Sequence, residues 1–284
     1  MNVLLLKSSL AGISPHLSEM LDGTLATLSE KTNPMRYSLA AHGLRELLRE
    51  LLAHYAPDSM IKVAQWYKPD STSKTGITRK HRTTFAVYGY VNPSILPNVL
   101  SKNVDDIARD IVGHYDRLSN FAHTTTEVLK IPEEEAIILV ESTLELFPRL
   151  LSSIIEGKKL LNNELETALM MALNNLFISD FLGELDMLST HTRPTGAEDI
   201  AFLIKCIDKK YVYFDGTGSV SCDLQYGSDG DCSRGDGVEW EDSFPFSFEG
   251  RANVMDLKLT VTKENISIDT SKFHGEKEFD PHYD

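Results

Sequence analysis

The stretch Asp105 to Thr126, DDIARDIVGHYDRLSNFAHTTT, crowds Arg109, His114, Arg117, Asn120 and His123 into one amphipathic segment. Histidine suits proton abstraction because its unperturbed pKa lies near neutrality. Arginine is always charged, and its guanidinium forks onto phosphate oxygens. Together these groups suffice to cleave RNA without a metal. A base takes the proton from a 2′-hydroxyl while cations stabilise the phosphorane-like transition state. Arg117 and His123, in RLSNFAH, fit the two roles, with Asn120 as a polar orienter and His114 as a helping group. Spacing alone does not choose this pair, since Arg36 and His42, Arg49 and His54, and Arg109 and His114 repeat it. In an unbroken helix six residues turn through roughly 600°, leaving Arg117 and His123 about 120° apart. A shared site therefore needs a helix end or a second subunit between them, and the threonine run after His123 supplies such an end. The plain alternative is that Arg117 pairs with Asp116 or Glu127 and that His123 is an ordinary helix-end histidine.

The elements that must position these groups follow from periodicity. Ile107, Ile111, Val112, Tyr115, Leu118 and Ala122 recur at three and four residues, which predicts a helix from about Asn103 to just past His123. Upstream, residues 13–31 read as a helix entered at Ser14-Pro15, and a second begins at Asn33-Pro34. The second presents Leu39, Leu44, Leu47, Leu48, Leu51 and Leu52 on one face until Pro57 ends it, so the two form a helical hairpin. YKPDSTSKTGITRKHRTTFAVYGYV then changes character. A Ser/Thr/Lys-rich loop precedes Thr83 to Val91, whose β-branched and aromatic content predicts a strand and hence a small inserted hairpin. Lys68, Lys74, Arg79, Lys80 and Arg82 make this the most basic surface, and the last four are candidate RNA contacts, with Trp66, Tyr67 and His81 available for stacking. The alternative is a solvated loop before an edge strand. Downstream, Pro132 and Glu133 to Glu135 open a new helix. Ala136 to Glu156 and Leu160 to Leu188 read as two long helices, broken at Gly157 and interrupted by Pro148.

After His191 the composition shifts to short strand-like runs: Phe202 to Ile207, Tyr211 to Phe214, Ser219 to Gln225, Phe244 to Phe248, Leu257 to Thr262 and Ile266 to Asp269. The expected fold is therefore α+β, an all-helical domain over 1–194 and an antiparallel β-domain over 195–284. The net charge of -14 is uneven: from Thr195 onward 19 Asp and Glu face 9 Lys and Arg. An acidic surface repels nucleic-acid phosphates, which places any such contact in the first part. In YGSDGDCSRGDGVEWED, Asp229, Asp231 and Ser233 echo a calcium loop. The position that needs Gly holds Arg234, and the twelfth is Trp240 rather than Glu. A solvated acidic loop is expected instead, with no metal site or cofactor. Cys206, Cys222 and Cys232 form no CxxC pair, and no run reaches the roughly 18 apolar residues of a membrane span, so a cytoplasmic protein without membrane contact is expected.

Two resemblances add to this. The helix carrying RLSNFAH resembles HEPN proteins, helical domains whose ribonuclease members carry an Arg, four to six residues, then a His. The resemblance implies a homodimer with the active site formed across it. The run GTGSVSCDLQYGSDGDCSRGDG, with DSFPFSF and IDTSKF, resembles a C-terminal module of bacterial predicted PIWI-associating nucleases, over roughly Phe202 to Phe273. That family accompanies Argonaute-like or other anti-phage genes, which implies a defence context and a defence-system protein partner. Three functions stay open: a metal-independent endoribonuclease of a defence or toxin system, a non-catalytic interaction protein, and a metal-dependent DNA nuclease. The third lacks a PD-(D/E)xK-like pattern.

Overall fold

The computed structural model describes residues 3–123, 132–179 and 183–273. They divide into two compact units, Met1–Leu161 and Asn162–Asp284. The first holds α1 (Val3–Ile13), α2 (Pro15–Ser29), α3 (Arg36–Tyr55), α4 (Asp58–Ile61), α5 (Arg79–Tyr88), α6 (Asn98–Ala122) and α7 (Glu133–Leu144). Helix α8 (Leu146–Ser179) begins in the first unit and ends in the second. Ser14 sits in extended backbone ahead of Pro15 at the start of α2, the entry that Ser-Pro predicts, although its side chain makes no cap bond. Helices α2 and α3 pack together as the expected hairpin, and α3 also packs on α6. Leu21, Leu44, Leu47, Leu48, Leu51 and Ile111 are all fully buried, which makes the leucine-rich face of α3 the centre of this core.

The strand expected over Thr83 to Val91 is instead helix α5. Thr78 accepts from the His81 backbone N–H while the Thr78 N–H donates to His81 Nδ1, a reciprocal capping box built with histidine in place of the usual Glu or Gln. Phe85, Ala86, Val87 and Tyr88 are buried in succession, so tertiary burial on all sides overrides their β propensity. The first unit accordingly contains no strand among its described residues, and the inserted hairpin is absent from them. Helix α6 starts at Asn98 behind Pro97 rather than near Asn103. The threonines expected to end it, beyond His123, lie outside the described residues.

Neither Pro148 nor Gly157 interrupts α8. Pro148 is its third residue, where a backbone N–H has no intrahelical partner to lose. Gly157 lies where α8 meets α5: a Cβ there would stand 2.8 Å from both Val87 Cγ1 and the Val87 carbonyl oxygen. The glycine records a close helix approach, not a break.

The second unit continues α8 and adds α9 (Gly183–Asp186), β1 (His191–Ile207), β2 (Tyr211–Tyr226), α10 (Asp229–Arg234), β3 (Val238–Asn253), β4 (Leu259–Thr260) and β5 (Ile266–Ile268). The sheet is antiparallel in the order β1-β2-β3-β4, with β5 also on β3. The runs expected as separate strands at Tyr211 and Ser219 are one strand, because Asp215-Gly-Thr-Gly is not a turn. Gly216 pairs with Phe248, Gly218 with Phe246 and Gly250 with Phe214. A Cβ at Gly216 or Gly218 would come within 2.5 or 2.6 Å of the paired phenylalanine ring. The rings thus lie over the bare backbone opposite, which covers glycines that would otherwise weaken the strand. Phe246 also meets Phe177 of α8, ring centroids 4.9 Å apart, and Asn174 Oδ1 accepts from the Ala197 N–H at 2.7 Å. The acidic loop contains α10, capped by Ser228 and Asp231, with Asp231 also bound to Arg234 at 2.6 Å.

All three cysteines are free, and burial pushes the Cys222 thiol up to about 12, leaving it protonated and inert. Among the described residues no helix is long and apolar enough to cross a membrane.

Candidate functional site

On α6 the positions Asp110, His114 and Arg117 follow at four and three residues, which places them on one face. His114 Nδ1 lies 3.0 Å from Thr143 Oγ1 on α7. Thr143 is fully buried and its hydroxyl donates to the Leu139 carbonyl at 2.7 Å. A hydroxyl has a single proton, so Thr143 accepts from His114, and the neutral ring carries its proton on Nδ1. Its Nε2 is then a free base. Burial lowers the His114 pKa below its ordinary 6.5. The charges of Arg117 and Arg149 push the same way, and Asp110 opposes them. Arg149 of α8 pairs with Asp110 at 2.8 Å. Beside this pair α6 and α8 form a groove of about 410 Å³ lined by Asn103, Asp106, Arg149, Ser152 and Ser153. A neutral imidazole beside the Arg117 guanidinium supplies a base and cationic stabilisation for a phosphorane.

Arg117 and Asn120 are exposed on α6, and His123 is the exposed residue that ends it, in extended backbone. No hydrogen bond or ion pair joins Arg117 to His123, Asn120 or Asp116 among the described residues, and Glu127 lies outside them. The other arginines of the repeated spacing are engaged. Arg36 binds the Tyr37 hydroxyl and Glu133, Arg49 binds Glu46 and Glu50, and Arg109 binds Asp106. The structure thus brings His114 and Arg117 onto one face and leaves His123 at the helix end.

In the basic segment, Lys74 is exposed, Lys80 pairs with Asp105 at 2.9 Å, and Arg79 stacks on the Tyr115 ring at 3.5 Å. Arg82 serves the fold, bound to Asp58 and to the Ala56 carbonyl. The aromatics expected to stack on bases are used internally. Trp66 Nε1 donates to the Gly89 carbonyl at 3.0 Å, and Tyr67 meets His81 edge-on at 5.1 Å. Of the residues around His114, Asp110 was within reach of sequence reasoning, through its i, i+4 spacing. Thr143 and Arg149 come from other helices, and nothing in their local sequence marks them. Among the described residues no group of three His, Cys, Asp or Glu side chains is placed to hold a metal ion.

A helical unit with a histidine-and-arginine face, joined to an antiparallel sheet unit, defines a two-part α+β protein. Two family models, both described as predicted pPIWI-associating nuclease, match residues 10–147 and 154–274. The chain belongs to this family, and the match extends well beyond the module around Phe202 to Phe273. Membership supports a nuclease function. No curated protein and no solved structure shows a significant match.

Proposed function

We propose that the chain is a metal-independent endoribonuclease, with His114 as general base and Arg117 as the cation facing the scissile phosphate. The observation that carries this is the hydrogen-bond chain from His114 Nδ1 through Thr143 to the Leu139 carbonyl. It holds an unprotonated Nε2 on a face that also presents a guanidinium. Arg149 is neutralised by its ion pair with Asp110, which leaves Arg117 as the uncompensated cation on this face. Exposed Lys74 and Lys80 contribute RNA phosphate contacts, Asn120 orients the substrate, and His123 assists as acid or in positioning. The HEPN-like character of the helical unit, its homodimer and a role in a bacterial defence or toxin system belong to the same reading. The family description supports a PIWI-type protein as partner.

The test is cleavage of total cellular RNA by the purified protein in EDTA, beside His114→Ala, Arg117→Ala and His123→Ala. Cleavage that is abolished by His114→Ala and Arg117→Ala, and reduced but retained in His123→Ala, is the expected result. Retention in His114→Ala overturns the base assignment. If RNA stays intact even with a PIWI-type partner present, the ribonuclease reading falls and a non-catalytic interaction protein replaces it.

A further inference from the structure

A second feature lies on a different side of α6. A cavity of about 530 Å³ in the first unit is lined by Arg49, Arg79 and Arg82, by Thr72 and Ser73, and by Tyr115. In a chain of net charge -14 its lining holds no carboxylate. The contrast within the molecule is direct: a cavity of about 630 Å³ on the sheet unit is lined by Asp215, Glu249 and Glu264 and would repel an anion.

The three arginines are not equivalent. Arg82 is fixed by Asp58 and the Ala56 carbonyl, and Arg49 is shared between Glu46 and Glu50. Arg79 has no carboxylate partner among the described residues. Its guanidinium lies 3.5 Å over the Tyr115 ring. Stacking holds the plane of the fork and leaves its N–H edge to donate, which is the arrangement suited to a phosphate oxyanion. The Thr72 hydroxyl donates to Asp70 Oδ1 at 2.6 Å and the Ser73 hydroxyl to the Ile77 carbonyl at 2.7 Å, so neither proton is open to an anion and the site rests on Arg79; the volume is in the range of small-ligand sites. At about 100° per residue, Tyr115 is turned about 100° and Val112 about 160° from His114, so this lining is separate from the proposed catalytic face.

We propose that this cavity binds the phosphate of a nucleotide, with Arg79 as the principal ligand. The same chemistry is offered by the terminal phosphate of a free nucleotide and by the backbone of an RNA strand. The site goes beyond the catalytic reading and does not require cleavage.

The experiment therefore uses the full chain carrying His114→Ala, with AMP, ATP and a fluorescently labelled single-stranded RNA as probes in titrations at low salt. Arg79→Gln is compared with Arg234→Gln, the same charge change on α10 in the sheet unit. Expected is saturable binding that weakens about tenfold or more in Arg79→Gln and is unchanged in Arg234→Gln. RNA displaced by AMP or ATP assigns a free-nucleotide pocket; RNA bound but not displaced assigns a strand contact, and both support the site. Should Arg79→Gln fail to fold, Arg79→Lys keeps the charge without the fork and is expected to bind more weakly than the parent. Absence of binding by all three probes overturns the proposal, as does equal binding by the Arg79 and Arg234 variants. Lost cleavage in the wild-type chain would leave these outcomes untouched.

Discussion

Thr143 has one hydroxyl proton and the Leu139 carbonyl takes it, so everything that orients His114 rests on the remaining lone pairs of a fully buried oxygen. Thr143→Val keeps the shape and removes that acceptor, leaving the His114 Nδ1–H unpaired in a partly buried setting. The loss in stability is expected to be about 1–3 kcal/mol, the cost of leaving one such donor unsatisfied. On the proposed mechanism the larger effect is on turnover. A misoriented base lowers kcat about tenfold with little change in KM, and steady-state kinetics on RNA separates the two. The direction of the His114 shift sets a second expectation. Its folded pKa lies below 6.5, so between that value and 6.5 the unfolded chain binds more protons than the folded one. Stability from this group is fully present above pH 6.5 and is lost as the pH falls through the folded pKa. His81 acts in the same sense. Burial lowers its pKa first, and its Nδ1 must stay unprotonated to accept from the Thr78 N–H. Thermal midpoints are therefore expected to drop on acidification below about pH 6.5, less steeply in a His81→Gln, His114→Gln double variant. An equal drop in that variant would place the acid sensitivity elsewhere.

At the level of elements, the packing of α5 on α8 is decided by one missing methyl group. Gly157→Ala should gain about 1 kcal/mol from helix propensity, but overpacking a fixed interior costs about 1–3 kcal/mol. The new Cβ would stand 2.8 Å from the Val87 backbone oxygen as well as from its Cγ1, so trimming Val87 relieves only half of the conflict. A net loss of stability is expected for Gly157→Ala, only partly restored by adding Val87→Ala. A gain in thermal midpoint for the single variant would refute the close approach. The same pair of helices explains where sequence reasoning succeeded and where it stopped. Helices α2, α3 and α6 were legible because one face of each carries the leucines and isoleucines of a half-buried helix. Helix α5 was not, because its last turn, Phe85 to Tyr88, is buried at every position and its cap uses His81, which no common capping pattern contains. Gly157, Gly216 and Gly218 read as breaks from the sequence, yet each serves a contact made by a residue far along the chain. For the candidate site, Arg117 and His123 stood out by type and spacing, with His114 as a helping group. Thr143, which binds His114, and Arg149, which binds Asp110, become neighbours only through helix packing.

Across the whole molecule the balance of charge opposes the substrate proposed for it. A net charge of -14 repels RNA, and nearly half of the acidic residues lie from Thr195 onward. On the proposed reading, association depends on a local basic surface working against a long-range field, and the sheet unit's carboxylates are expected to slow encounter. Glu239, Glu241 and Asp242 of β3 are all exposed. Replacing them with Gln, Gln and Asn removes three negative charges without disturbing a buried contact. Such a field acts over the Debye length, about 30 Å at 0.01 M ionic strength and about 8 Å at 0.15 M. The triple variant is therefore expected to bind labelled RNA with a faster association rate than the parent at low salt, and at nearly the parent rate at physiological salt. Dissociation should change little, because none of the three residues lines the proposed phosphate cavity. Stopped-flow measurements at the two ionic strengths distinguish this from direct contact. A variant that binds RNA more slowly at low salt would mean that the acidic strand engages the nucleic acid itself, through its backbone or through Trp240, and that the division of labour by charge is wrong.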